Sequence, residues 1–314
     1  MVSRRLLRIK ILQILYAYYK KGKPAVDKLE KELFFSIEKT HELYISVFAL
    51  LKELVRYANY RIELSRNKLS PTAEDLNPNT NFVDNKVIAK LSENPSLKKY
   101  IDKYKVNWGL YPELIKNMYI QITNSDYYAR YMKENEPSLK ADYKFVNHIL
   151  YRAILNCEML DSLLEEKSIY WNNDIEIAVR QVERTLKKIR EGEEPEVLSL
   201  YKDSDDREFV RRLFRHVTSH DREYTEMIES FTSNWDVERI AFMDILIMQQ
   251  AIAEIIEFEN IPTRVSFNEY IDIAKFFSTQ KSSNFINGVL DRIIQKLKED
   301  NKIIKSGRGL IGEG

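Results

Sequence analysis

Residues 4–19 read RRLLRIKILQILYAYY, and Leu7, Ile11, Ile14, Leu15 and Tyr18 fall at i, i+4, i+7, i+8 and i+11. That spacing lays the apolar side chains along one face of an α-helix. The same periodicity extends outward from this stretch. Residues 26–69 read as one or two long amphipathic helices, stopped by Ser70-Pro71. The turn-rich segment 71–85 (PTAEDLNPNTNFVDN) reads as a loop. Shorter helices are expected over 84–92, 96–105 and 112–123, with Pro112 suited to a first helical turn. Residues 142–190 and 206–300 are helical again, parted by Gly192-Glu193-Glu194-Pro195. Asp203-Ser204-Asp205-Asp206 offers an N-cap with acids over a new first turn. Every proline falls at a segment edge, as helices require. The reading is an all-α chain.

Composition narrows the function classes. The 314 residues include 8 glycines, and Gly307, Gly309, Gly312 and Gly314 stand in the last eight positions. Gly22, Gly109, Gly192 and Gly288 are left for the rest. No dinucleotide-binding G-x-G-x-x-G and no P-loop can be written from glycines so far apart. With 44% hydrophobic and 31% charged residues, the composition is that of a soluble helical protein. Lys+Arg 49 against Asp+Glu 48 leaves a net charge of +1, so a nucleic-acid site has to come from local clustering. The single cysteine, Cys157, excludes an intrachain disulfide and a cysteine-based zinc site. Lys10 and Gln13 interrupt the apolar start, and no 18-residue apolar run occurs. The expectation is a cytoplasmic protein with no membrane span.

An internal repeat is visible. Placing Asp142 on Asp206 without a gap puts Phe145 on Phe209, Val146 on Val210, Ile149 on Leu213 and Trp171 on Trp235. A duplicated helical hairpin explains the Asp and Trp anchors; chance agreement of two amphipathic helices explains the apolar positions alone.

Candidate chemistry is sparse. Seven basic residues (Arg4, Arg5, Arg8, Lys10, Lys20, Lys21, Lys23) precede the first acid, Asp27. Arg4 and Arg8 lie one turn apart with Arg5 beside them, a cluster of forks suited to phosphate and to exposed bases. The competing reading is a solvated helix start. His216 and His220 share a helix face, but no Glu completes an H-E-x-x-H arrangement, so a surface pair is the plainer reading. Asp203, Asp205 and Asp206 resemble the acid-rich motif of helical isoprenoid synthases, yet position 209 is Phe and helix capping explains them better. No catalytic grouping, metal site or cofactor is indicated. A metal-dependent helical enzyme using His216, His220 and these acids is the rival of a different class.

The C-terminal third carries Asn234-Trp235-Asp236-Val237-Glu238-Arg239-Ile240-Ala241, then Asp244, Glu254 and Ile261-Pro262. Ser266-Phe267-Asn268-Glu269-Tyr270, Ile273-Ala274-Lys275 and Phe285-Ile286-Asn287-Gly288-Val289-Leu290-Asp291 follow. This ordered set resembles the transcription antitermination factor NusB family, whose pattern runs I-P…[VI]-N-E-[AY]…A-K…F-[VI]-N-G-[VI]-L-D. Arg4-Arg5-x-x-Arg8 followed by Leu12-Gln13-x-Leu15-Tyr16 is similar to that family's opening helix.

The resemblance implies an all-α NusB-like helical bundle with an expanded middle region. It implies that Arg4, Arg5 and Arg8, with Lys10, touch boxA-type single-stranded RNA. Lys281, where the family often has an acid, favours phosphate if its loop faces the RNA. Tyr16 and the helix carrying Asp244 would lie at or near the ribosomal small-subunit protein NusE, the pair joining the RNA polymerase antitermination complex. Trp235, Asn268, Glu269, Lys275, Phe285, Asn287 and Gly288 form the structural motif, Gly288 allowing close helix contact and Asn287 bonding backbone. The expected organisation is an arginine-rich helix over 1–23, a helical insertion over 24–200 containing the possible duplicate 142–171, a C-terminal core over 201–300 and a disordered tail over 301–314. A helical protein-interaction scaffold without boxA binding is the alternative function.

Overall fold

In the computed structural model, residues 3–171, 174–201, 203–232 and 241–312 are described. Among them there is no β-strand. The helices are α1 (Arg4–Lys20), α2 (Val26–Arg66), α3 (Ala73–Leu76), α4 (Lys86–Glu93), α5 (Pro95–Tyr104), α6 (Pro112–Thr123) and α7 (Asp126–Tyr131). They continue with α8 (Leu139–His148), α9 (Glu158–Lys167), α10 (Ile175–Arg190), α11 (Ser204–Ser219) and α12 (Asp221–Thr232). The last three are α13 (Phe242–Glu257), α14 (Thr263–Phe277) and α15 (Gln280–Glu299). No helix among the described residues is long and apolar enough to cross a membrane.

Local chemistry sets the helix ends. The Ser3 hydroxyl accepts from the Leu6 N–H at 3.3 Å and starts α1. Pro95 and Pro112 occupy first turns, where no intrahelical N–H is needed. Asn85 accepts from the Val87 and Ile88 N–H groups at 3.1 Å each and starts α4. Within the expected loop 71–85, Thr72 and Asp75 form a reciprocal capping box that supports the single turn of α3.

The chain divides into two compact units, one of residues 38–200 and one of residues 2–37 with 201–314. Expectation put the end of the N-terminal segment at 23. The difference lies in the first turns of α2, where Leu29, Leu33 and Ile37 are buried. Arg211 of α11 pairs with Glu30 at 3.1 Å, and Arg215 with Asp27 at 2.7 Å.

In the unit of residues 38–200, Tyr44, Phe48, Leu51 and Leu54 of α2 join Ile88 of α4, Phe145 and Ile149 after α7, and Val182 and Leu186 of α10 in one apolar core. Asp142 is buried there, its carboxylate accepting from the Tyr131 hydroxyl at 2.6 Å and the Lys86 N–H at 3.0 Å. His41 is buried as well, between the Tyr104 hydroxyl and the Leu198 carbonyl, each at 2.9 Å. In the other unit the central element is α13, packed by α1, α11, α12, α14 and α15. Its sequence FMDILIMQQAIAEIIE is apolar on nearly every side, which suits only a helix surrounded by others.

The offset of 64 that relates Asp142 to Asp206 persists in each unit's own packing. Buried Asp142, Phe145, Val146, Ile149, Leu160, Leu164 and Val182 correspond to buried Asp206, Phe209, Val210, Leu213, Tyr224, Ile228 and Leu246. Asp142 holds the first residue of α4, which packs on α8 and α10. Asp206 holds the first residue of α1, which packs on α11 and α13. Trp171 is buried and donates to the Lys39 carbonyl at 2.7 Å; its counterpart Trp235 lies outside the described residues.

Two expectations are corrected. Residues 301–312 are not a disordered tail: Gly307–Leu310 forms a 3₁₀ turn and Gly309 is buried. Gly288 does not mediate close helix contact, since a Cβ there would meet nothing within 4 Å. Asn287 is exposed beside it and makes no side-chain hydrogen bond among the described residues, so the structural role expected of both fails.

Candidate nucleic-acid interface

The helical start that gathers the basic residues places them in different environments. Arg8 points inward from α1. Its Nε donates to Glu254 Oε2 at 2.7 Å and its Nη2 to Glu254 Oε1 at 2.6 Å. Ser266 and Tyr270, one turn apart on α14, donate their hydroxyls to the same carboxylate at 2.6 and 2.8 Å. The Arg8 side chain is 3% exposed and Glu254 is 0% exposed, so this is a closed, fully hydrogen-bonded ion pair. Burial works against both charges, but mutual attraction and these hydrogen bonds outweigh it. The Arg8 guanidinium is therefore held above its ordinary value and the Glu254 carboxyl below its own.

That geometry corrects two expected RNA contacts. Arg8 is committed to Glu254, and Lys10 is buried on the same helix at 1% exposure. Neither side chain is available to an RNA phosphate in this packing. Arg8 fixes α1 to α13 and α14 instead.

Arg4 and Arg5 stay at the surface. The Arg4 Nε donates to Asp206 at 2.9 Å while its guanidinium lies over the Phe209 ring, 5.2 Å from the centroid. Arg5 engages Glu269 through Nε and Nη2, both at 2.9 Å, and Asp272 through Nη2 at 2.9 Å. The Arg4 and Arg5 side chains are 36% and 44% exposed. Both line a cleft of about 680 Å³ whose apolar walls include Ile261, Pro262 and Val265. Arg308 and Ile311, from the C-terminal segment, also line it. Such a volume accommodates a small ligand or one nucleotide.

The other expected residues are scattered. Lys281 is exposed at the start of α15 and has no ion pair among the described residues. Tyr16 is 39% exposed, its ring 5.7 Å from that of Phe242, with the Lys20 ammonium 4.8 Å from the Phe242 centroid. Asp244, expected at a partner contact, is 2% exposed and accepts from the Ser278 hydroxyl at 2.5 Å. Its role is to tie α13 to the end of α14. Asn268 is exposed on α14, Lys275 pairs with Asp272 at 2.9 Å, and Phe285 is half-buried.

His216 and His220 stack on each other with ring centroids 4.3 Å apart, and His216 Nδ1 faces Glu257 at 3.2 Å. Asp203 caps α11 and Asp206 is held by Arg4, so the acids expected beside the histidines are engaged elsewhere. Among the described residues no three His, Cys, Asp or Glu side chains form a metal-holding group.

Sequence reasoning missed that Arg8, Glu254, Ser266 and Tyr270 are one unit. The available signal was polar residues on faces that periodicity assigns to the core: Glu254 within an apolar helix, and Ser266 with Tyr270 one turn apart. Arg308 was missed because its glycine-rich surroundings read as disorder.

Comparison with known proteins agrees with this architecture. The NusB family model matches residues 173–295. The transcription antitermination protein NusB of Salinibacter ruber is 35% identical over 146 residues, covering 46% of this chain and 86% of that protein. The protein of the same name from Natranaerobius thermophilus is 39% identical over 92 residues, 29% of this chain and 66% of its own length. That from Chloroherpeton thalassium is 36% identical over 124 residues, 40% of this chain and 58% of its own. No solved structure matches the chain. With most of the Salinibacter ruber protein aligned to it, the chain belongs to the NusB family.

Proposed function

We propose that this chain is a cytoplasmic transcription antitermination factor that binds boxA-type single-stranded RNA together with ribosomal protein NusE and promotes ribosomal RNA transcription. The relatives are named transcription antitermination proteins, which supports the general role. The observation that supports an RNA site here is the pair of half-exposed arginines, Arg4 and Arg5, on the wall of a cleft with apolar sides. Their forks can exchange carboxylate for phosphate, and the apolar walls suit the face of an unstacked base. The cluster of exposed Tyr16 and Lys20 on half-buried Phe242 is the proposed NusE contact, an aromatic surface with a cation beside it. Residues 38–200 we read as a helical insertion holding a second, diverged copy of the α11–α13 unit, on the strength of the burial register.

Titration of labelled boxA RNA with wild type and Arg4→Ala/Arg5→Ala, with and without NusE, tests this reading. The double variant is expected to bind more weakly, and its log K against log salt slope to be shallower by about 1.4 if two single-strand phosphate contacts are lost. Equal binding by both proteins refutes it and favours a protein-interaction scaffold.

A further inference from the structure

The segment after α15 is built to return to the arginine cleft. Asn301 adopts a left-handed φ of 55°, with the Lys302 N–H on the Leu297 carbonyl at 2.8 Å and the Asn301 N–H on that of Lys298 at 3.1 Å. This helix-terminating pattern redirects the chain. Lys305 then donates its ammonium to the Ile255 and Phe258 carbonyls at 2.8 and 2.9 Å, at the end of α13. A cation suits that end, where carbonyls lack intrahelical partners. The Ser306 N–H donates to the Glu259 carbonyl at 3.0 Å. Gly309 lies so close to the same carbonyl that a Cβ would sit 1.8 Å from its oxygen. Only glycine permits this approach.

The docked strap ends in Arg308 and Ile311, both on the cleft wall. Charge distinguishes Arg308 from the other arginines there. Arg4 is paired with Asp206, Arg5 with Glu269 and Asp272, and Arg8 with Glu254. Arg308 is exposed and has no acid partner among the described residues. It therefore supplies the unneutralised positive charge of the cleft, while the α1 arginines must leave carboxylates to meet an anion. The strap also lies beyond residue 295, where the family match ends.

We propose that the C-terminal strap is part of the RNA site, with Arg308 binding a backbone phosphate of single-stranded RNA held in the cleft. This rests on the RNA-binding reading above and assigns it a cation and a segment of its own.

The test uses the full chain and the same labelled boxA RNA, titrated across a salt series, with thermal melting to establish folding. Arg308→Ala is expected to weaken binding roughly three- to tenfold and to flatten the salt slope by about 0.7. Arg308→Lys keeps the charge and most of the slope. Gly309→Val keeps every charge but forces the strap off Glu259, and is expected to reproduce the Arg308→Ala slope. Arg61→Ala removes another exposed arginine, on α2, and is expected to leave the slope unchanged. Wild-type affinity and slope in both Arg308→Ala and Gly309→Val, while Arg4→Ala/Arg5→Ala binds weakly, overturns the strap proposal and leaves the RNA reading intact. Tighter binding by either strap variant, or an equal loss in Arg61→Ala, also overturns it. Failure of the wild type to bind RNA removes both.

Discussion

Replacing Arg8 by Met isolates the buried pair that joins α1 to α13 and α14. The substitution keeps a long apolar stem but removes both donors that Arg8 gives Glu254, at 2.7 and 2.6 Å. Ser266 and Tyr270 still donate, so a carboxylate with 0% exposure keeps two neutral partners and loses its counter-charge. Breaking a buried pair from one side costs about 3–5 kcal/mol, because the remaining charge is left uncompensated. For a unit of this size that lowers its Tm by about 6–20 °C. The pH dependence is more diagnostic than the loss. In the wild type the Glu254 carboxyl is held below its ordinary 4.5, so its stabilisation is present above that pH and is lost as pH falls through the folded value. In Arg8→Met, burial acts without its opponent and raises the carboxyl. Stability of the variant then declines as pH rises through the raised value, and its deficit against wild type is largest at pH 7 and shrinks toward pH 4. Arg8→Met/Glu254→Gln, which keeps an acceptor without the charge, recovers a large part of the loss. Calorimetry and urea unfolding of the three variants at pH 4, 5.5 and 7 measure this. A loss below about 1 kcal/mol at pH 7, or a deficit that grows with acid, refutes the assignment of Arg8 as a structural ion.

Two further outcomes follow from single residues. Gly288→Ala adds a methyl to an exposed helical position with open space around it, so the fold is expected to gain about 0.5–1 kcal/mol; a Tm that falls refutes the open-surface assignment. His41 is pushed down to about 4 by burial, the Leu198 carbonyl opposing, so it is neutral at pH 7. The unfolded chain takes up a proton near 6.5 that the folded chain refuses, so stability is complete above that pH and declines as pH falls toward 4, by about 3 kcal/mol in all. NMR titration of the His41 ring giving a value near 6.5 ends that argument.

Periodicity located the helices well where an apolar stripe and a capping residue coincide. The expected 112–123 coincides with α6, because Pro112 fixes the start and the stripe Leu114, Ile115, Met118 and Ile122 is buried as its spacing requires. The two-unit division was less legible, since α2 runs without a break from Val26 to Arg66 while its residues up to Ile37 belong to one unit and the rest to the other. No local signal marks a boundary inside a continuous helix. The strap was misread for a related reason: glycine reads as flexibility in isolation, and only the Glu259 carbonyl, remote in sequence, makes Gly309 a packing requirement.

The arginine cluster shows why a motif transfers unevenly. Arg4 and Arg8 share a face of α1, and position along the helix decides the partner. Arg8, a full turn from Arg4, enters the interior, where a guanidinium survives only by matching a carboxylate; hence Glu254 belongs to the same constraint as Arg8 and is not an independent motif residue. Arg4 and Arg5 keep solvent, but Asp206, Glu269 and Asp272 hold them in place at the cost of most of their net field. A net charge of +1 demands local clustering for any polyanion site, and these pairings largely cancel the cluster that the sequence shows. The resulting cleft is pre-organised but weakly charged. Its anion affinity is therefore most sensitive to the one lining arginine without an acid partner among the described residues, and that arginine stands on a strap held by Lys305, Ser306 and Gly309.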